Sequence, residues 1–335
     1  MHLFKAKATL FDYFDLNKRY IKITNIILFE DDRVKLDILP KYFFNSVADK
    51  LYADAYYPSK LLFDDCHLEN ISKYLIFDKS NMLESINNEL GINLNSIEDV
   101  RIIIEDERYK RFNYLVDTKF TDEKILLLLD YFEKRKDADI RNMVTDNADV
   151  WTIFEYVLGI IWYKISGKEG KILDYLKLSL DADLLPKTHA TGGQADIVYE
   201  YIETKDYPTH NLLLEATLCE STNQRRMEME PVSRHLGNHL IQTSNCNSYC
   251  IFVTTQLNIN VISDFRHRKL MPYYNSQDHS KMINSMKIIP LATSELKKIV
   301  INKKEYKQLY KIFEKAYNNE SLVPNEWYSS YTQSL

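Results

Sequence analysis

Residues 192–230 read GGQADIVYEYIETKDYPTHNLLLEATLCESTNQRRMEME, and their reading decides the fold of the second half of the chain. Two apolar runs stand in this stretch, ADIVYEY at 195–201 and LLLEATL at 212–218, and each contains an acid, Asp196 and Glu215. Side chains alternate between the faces of a strand. A run that is apolar on both faces therefore belongs to a central, covered strand. An isolated carboxylate there costs on the order of several kcal/mol unless it is paired or binds a metal. If the two runs are adjacent antiparallel strands, Asp196 and Glu215 converge at one edge of the sheet. Carboxylates sharing an oxygen-loving cation are the usual arrangement for Mg²⁺. Such an ion activates water and stabilises the departing oxygen of a phosphodiester.

The segment that follows, TNQRRMEMEPVSRHLGNHL at 222–240, adds polar groups. Gln224, Glu228 and His235 lie at i, i+4 and i+11, which share one helical face. Glu228 is a candidate third acid at the metal. His235 either orients water or contacts a phosphate, or is a surface or satisfied core histidine. Pro231 kinks this helix or starts a second one. Arg225 and Arg226 are phosphate contacts or solvated charge. Upstream, Glu155 interrupts the apolar run WTIFEYVLGIIWY at 151–163. Alone it reads as an exposed helix residue; beside the other acids it becomes a fourth carboxylate.

Working outward, residues from about 145 onward give a helix, a strand pair, and then alternating helices and strands. The fold class is therefore α/β, with helices flanking a mixed sheet. The boundary expected near VTDNADVW divides a mainly helical domain at 1–145 from an α/β domain at 146–325. In the first domain RYIKITNIILFE (19–30) and RVKLDILP (33–40) read as a strand hairpin. YFFNSVADKLYADAYY (42–57) and LENISKYLIFD (68–78) read as helices. The charged run at 105–124 is a solvated helical face or a phosphate contact. One helix is expected over 294–319, and WYSSYTQSL at 327–335 is expected to be a frayed tail.

Composition removes several function classes. With 7 glycines and neither a G-x-G-x-x-G nor a Walker pattern, the chain has no Gly-rich phosphate loop. At net charge −5, a nucleic-acid binder needs a local basic surface. Of the four cysteines, Cys66, Cys219, Cys246 and Cys250, two are spaced C-x3-C with no second pair, short of a zinc pattern. Free thiols in a reducing cytosol are expected. The N-terminus lacks the apolar run of a signal peptide. The most apolar window, FEYVLGIIWYKI, falls short of the roughly 20 residues that span a bilayer. A cytoplasmic protein, neither secreted nor membrane-spanning, is expected.

The blocks DVWTIFEY (149–156), GGQADIVYEY (192–201), LLLEATL (212–218) and NQRRMEMEPVSRHLGNH (223–239) resemble the nuclease domain of AlwI-type restriction endonucleases. That group includes nicking enzymes and subunits of heterodimeric type IIS enzymes. CIFVTTQLN, DFRHRKL and MKIIPLATSEL extend the likeness, which covers about residues 145–300. The resemblance implies a PD-(D/E)xK nuclease fold and Mg²⁺-dependent hydrolysis of double-stranded DNA. It makes Asp196, Glu215 and Glu228 the metal-binding acids, Glu155 the acid of the first helix, and His235 a further active-site group. Two positions depart from the superfamily pattern. Ala195 precedes the first acid where proline is usual, and Thr217 stands in place of the motif lysine. Gln224, Glu228 and His235 are the candidates to stabilise the attacking hydroxide instead. LFDYFDLNKRYIKITN is similar to the linker preceding the nuclease in longer family members. The expectation is a strand-cleaving subunit that depends on a partner protein or a second copy. The competing expectation is a DNA-binding or assembly subunit whose nuclease fold no longer cuts.

Overall fold

A computed structural model describes residues 2–24, 26–30, 33–53, 72–76, 78–189, 193–219 and 221–335. The chain forms two compact units, Met1–Leu115 with Asp181–Leu184, and Val116–Leu180 with Leu185–Leu335.

The first unit contains helix α1 (His2–Ile23), the hairpin β1 (Ile27–Glu30) and β2 (Arg33–Leu36), α2 (Ile38–Ala53), α3 (Lys79–Leu90) and most of α4 (Ile97–Lys119). The hairpin is antiparallel, with Phe29 opposite Val34. It is shorter than its sequence suggests: Arg19–Ile23 continue α1 rather than open a strand. The β-branched run there is split between two elements, because local propensity is weak beside the helix already under way. Helix α3 is bounded by its own chemistry. Asp78 accepts from the N–H groups of Ser80 and Asn81, and Gly91 closes the helix at φ 64°. The helix expected at 68–78 is not found among the described residues 72–76. Ser72 Oγ accepts from Tyr74 N–H there and holds a turn. Residues 68–71 and 77 of that run, and the end of the preceding one beyond Ala53, lie outside the described residues, and Asp78 caps α3 instead.

The second unit is built on a four-stranded sheet with order β10-β7-β6-β5. Its strands are β5 (Ile197–Tyr201), β6 (His210–Thr217), β7 (Tyr249–Thr254) and β10 (Ile288–Ala292). β5 and β6 are antiparallel, whereas β6, β7 and β10 are parallel. The pattern follows burial. Every residue of β7 is buried, as a parallel strand covered on both faces requires. The edge strand β5 alternates. Ahead of the sheet come α5 (Asp122–Glu133), α6 (Asp137–Met143), α7 (Val150–Ile165), the short α8 (Ile172–Tyr175) and the strand pair β3 (Ser179–Leu180) and β4 (Pro186–Thr188). The long α9 (Ser221–Thr243) crosses from β6 to β7. α10 (Ile259–His267) and the small hairpin β8 (Tyr273–Tyr274) and β9 (Met282–Ile283) lie between β7 and β10. α11 (Thr293–Ile301), α12 (Tyr306–Asn318) and α13 (Pro324–Thr332) close the chain.

One face of the sheet receives α9 and α10. Leu213, Cys250 and Phe252 pack there against Val232, Leu236 and Phe265. α7 also packs on β6 and is buried almost all round, the mark of a core helix. Two expectations about the C-terminal end are corrected. The run 294–319 breaks at Lys303, which takes φ 48°, and forms two helices. Residues 327–335 are not a frayed tail. Trp327 and Tyr331 are each 1% exposed, Trp327 Nε1 donates to Ala316 O at 2.9 Å, and Tyr331 OH donates to Pro290 O at 2.7 Å. The i, i+4 aromatic pair gives this helix an apolar face, and Pro324 suits its first turn.

Gly237 in α9 lets the β8–β9 hairpin dock. A Cβ at this position would lie 2.3–2.7 Å from three ring atoms of Tyr273. Tyr273 OH in turn donates to Asn238 Oδ1 at 3.1 Å. Alanine improves helix propensity by about 1 kcal/mol, but overpacking a fixed ring costs roughly 1–3 kcal/mol. Gly237→Ala is therefore expected to lower the melting temperature by a few degrees at about 2–4 °C per kcal/mol. A variant that melts at or above wild type would show that the hairpin does not depend on this contact.

Candidate active site

The antiparallel register sets Ile197 against Leu214, so Asp196 enters β5 beside Glu215. Ala216 N–H lies beyond the last antiparallel pair, and Asp196 Oδ2 accepts it at 2.8 Å. The acid thus closes the open end of the ladder, where an unpaired N–H would be costly. Glu215 and Thr217 follow Leu213 on alternate positions and share its face, toward α9.

α9 brings the next two groups. Glu228 and His235 are seven residues apart, two helical turns, on the side anchored by Val232 and Leu236. Pro231 does not divide the helix, which runs unbroken from Ser221 to Thr243. His235 Nδ1 meets Glu215 Oε1 at 2.7 Å. Thr217 Oγ1 donates to Glu228 Oε1 at 2.7 Å. From α7, Glu155 is only 7% exposed, and its Oε2 has no hydrogen-bond partner. Its isolated reading, as an exposed helix residue, is thereby corrected. Asp196, Glu215, Glu228, His235 and Glu155 thus come together from four elements at one end of the sheet.

Electrostatics confirm that the acids feel one another. Burial, then the neighbouring Asp196, pushes the Glu155 carboxyl up to about 9. Burial and Glu215 push Asp196 well above its ordinary value, against the opposing pull of Ala216 N–H. Burial, Glu228 and Glu155 do the same to Glu215. Burial also raises Glu228, opposed by the Thr217 hydroxyl. His235 moves the other way, lowered by burial and by Arg234. The Glu215–His235 contact is therefore a hydrogen bond between groups pushed toward neutrality rather than a formed ion pair.

These donors fit a hard divalent cation. Buried carboxylates that repel one another are relieved by a positive charge placed among them. Glu155 Oε2 and His235 Nε2 are buried polar atoms with no partner, the kind of vacancy in hydrogen bonding that a bound species fills. Among the described residues, no three His, Cys, Asp or Glu side chains are placed so that together they could hold a metal ion. One oxygen each of Asp196, Glu215 and Glu228 is in a hydrogen bond within the protein, with Ala216 N–H, His235 Nδ1 and the Thr217 hydroxyl respectively. Mg²⁺ needs no closed cage, since it keeps several waters and uses one or two carboxylates.

Gln224 does not join the site. It is 0% exposed, and its amide nitrogen donates to Cys219 O, Thr254 Oγ1 and Gln256 O, while its oxygen accepts from Asn258 N–H. It clamps the start of α9 to the end of β7 and has no group left to stabilise a hydroxide. Arg225 and Arg226 are exposed on the first turns of the same helix. Thr217, which marks the departure from the motif lysine in the sequence, joins the site through its bond to Glu228. Its two-residue spacing from Glu215 was the available signal, but its partner Glu228 comes from a different element. A cavity of about 750 Å³ in the same unit lies around Tyr201 and Tyr306, at the opposite end of β5 from Asp196.

No helix among the described residues is long and apolar enough to cross a membrane. Among solved structures, the chain is similar to the small subunit (R.BspD6I2) of the heterodimeric restriction endonuclease R.BspD6I, at 20% identity and a TM-score of 0.44, covering 62% of this chain and 98% of that one. No curated protein matches the sequence. The family model described as AlwI restriction endonuclease matches residues 3–299, which takes in every acid of the site. A match over that length makes the chain a member of the AlwI restriction endonuclease family.

Proposed function

We propose that this chain is a Mg²⁺-dependent endonuclease that hydrolyses phosphodiesters of double-stranded DNA, with a PD-(D/E)xK-like catalytic domain over residues 146–325. The observation that carries the reading is the convergence of four mutually repelling carboxylates, the buried Glu155 and Glu215 and the half-buried Asp196 and Glu228, around a histidine with a free ring nitrogen. Asp196, Glu215 and Glu228 are the residues that would hold the cation. A divalent cation there supplies positive charge at the scissile phosphate and Lewis acidity at its oxygens. With Glu215 ionised, His235 carries its proton on Nδ1 toward that carboxylate, and Nε2 is left as an acceptor for a proton from water. Arg225 and Arg226 supply positive charge for flanking phosphates, which a chain of net charge −5 must concentrate locally. Residues 1–145 position the DNA or a partner.

One such site cuts one strand. A double-strand break then needs a partner protein or a second copy, and a cytoplasmic restriction system is the setting that this division of labour suits. The test is relaxation of supercoiled plasmid by the purified chain in Mg²⁺ and in chelator. Metal-dependent conversion to open circles is expected. A chain that binds a divalent cation and DNA yet leaves plasmid supercoiled, alone or with a genomic-neighbour protein, would falsify the cleaving role in favour of a non-cleaving DNA-binding or assembly subunit.

A further inference from the structure

Thr217 stands where the resemblance puts the nuclease motif's lysine, and its hydroxyl has one proton to give. Cys219 N–H donates to Thr217 Oγ1 at 3.1 Å, and Oγ1 donates to Glu228 Oε1 at 2.7 Å. The first bond occupies a lone pair, so the proton is directed at Glu228. Thr217 is 6% exposed, and its branched side chain has few rotamers to choose from. The loop carrying Cys219 is itself held, since Cys219 O accepts from the buried amide of Gln224 at 3.0 Å. Glu228 is different: it has three side-chain torsions and is half-buried on α9. Something must fix its carboxylate for it to act with Asp196 and Glu215.

We infer that Thr217 is a positioning residue that fixes the Glu228 carboxylate against the sheet, so that Glu228 can face a cation together with Asp196 and Glu215. The inference rests on the reading of the acids as a divalent-cation site. Gln224, fully engaged elsewhere, and His235, engaged with Glu215, leave Glu228 as the group that Thr217 controls.

The test is calorimetric titration of Mn²⁺ into the full-length chain, with thermal melting to establish folding and plasmid nicking in parallel. Thr217→Val removes the hydroxyl at nearly constant shape, and Thr217→Ala removes it without a branched replacement. Either is expected to weaken Mn²⁺ binding on the order of 10- to 100-fold, the range for losing a group that orients a metal ligand. Thr217→Ser is expected to restore binding. Thr217→Val combined with Glu228→Gln should bind no more weakly than Glu228→Gln alone, because both changes break one unit. Mn²⁺ binding at wild-type strength in the folded Thr217→Val chain, or losses that add in the double variant, overturns the positioning role and leaves the cation site standing. A wild-type chain that takes up no Mn²⁺ overturns the cation site and the positioning role together.

Discussion

Asp196→Asn is expected to abolish metal-dependent nicking while raising the melting temperature of the metal-free protein. The two effects have one cause. Asp196 is half-buried, and desolvation and Glu215 push its carboxyl well above its ordinary range, so its charge is carried at a cost to the fold. Asparagine is the same shape and keeps an oxygen to accept Ala216 N–H, the 2.8 Å bond that closes the β5–β6 ladder. The substitution removes the charge and its repulsion with Glu155 and Glu215 but preserves the backbone contact. It also removes a cation ligand. If the cation contributes several kcal/mol at the scissile phosphate, its loss lowers the rate by about a thousandfold or more, at roughly 1.4 kcal/mol per factor of ten. Plasmid nicking and thermal melting read the two arms. Loss of activity with a lower melting temperature would make Asp196 a structural acid, held for its hydrogen bond alone. Retained activity would remove it from the cation site. A site that is locally destabilising and functionally required is the common compromise between stability and activity.

The parts of this arrangement that were legible in the sequence are those set by short-range pattern. LLLEATL declared a central strand because residues on both faces are apolar, and a charge at Glu215 has no ordinary place in such a strand. Glu228 and His235 declared a common face because seven residues make two turns, and the helix tolerates Pro231 between them. What stayed hidden depends on which element lies next to which. Glu155 could not be placed from its own helix, since one acid in an apolar run reads equally as a solvated or a buried residue. Only the packing of α7 on β6 makes it part of the cluster. Gln224 shared the helical periodicity of Glu228 yet turns toward Thr254 and Asn258, because it lies a turn closer to the start of α9, where the β7–α10 loop supplies partners. Trp327 and Tyr331 stood among serines and a threonine, and their burial appears only when Ala316 and Pro290 are brought to them.

The same cluster predicts how stability responds to pH, and the sign is opposite to that of an ordinary salt-bridged acid. A carboxyl raised on folding holds its proton more tightly in the native chain than in the unfolded one. Its contribution is complete below the unfolded value of 4.5 and is lost as the pH climbs toward the folded value, about 9 for Glu155. Asp196, Glu215 and Glu228 are raised as well and act in the same direction. His210, His235 and His239 are lowered, so they favour folding as the pH rises toward 7 and add nothing further once neutral in both states. Lys287, also lowered by burial, acts in the opposite sense, gaining stability from its lowered value up to its ordinary 10.5. Between about pH 7 and pH 9 the loss is carried by Glu155, whose folded value lies at about 9. In chelator, the melting temperature is expected to fall across this window by several degrees, since each displaced unit is worth about 1.4 kcal/mol and each kcal/mol about 2–4 °C. Glu155→Gln should flatten the slope. Mg²⁺ should reverse it: the cation binds the ionised acids, so its stabilisation follows its affinity and grows as protons become easier to displace. Melting curves at pH 7, 8 and 9, with Mg²⁺ and with chelator, measure both terms. A metal effect that is constant with pH would mean that the ion binds somewhere other than among these four carboxylates. A chelated protein equally stable at pH 7 and pH 9 would mean that they do not share one buried field.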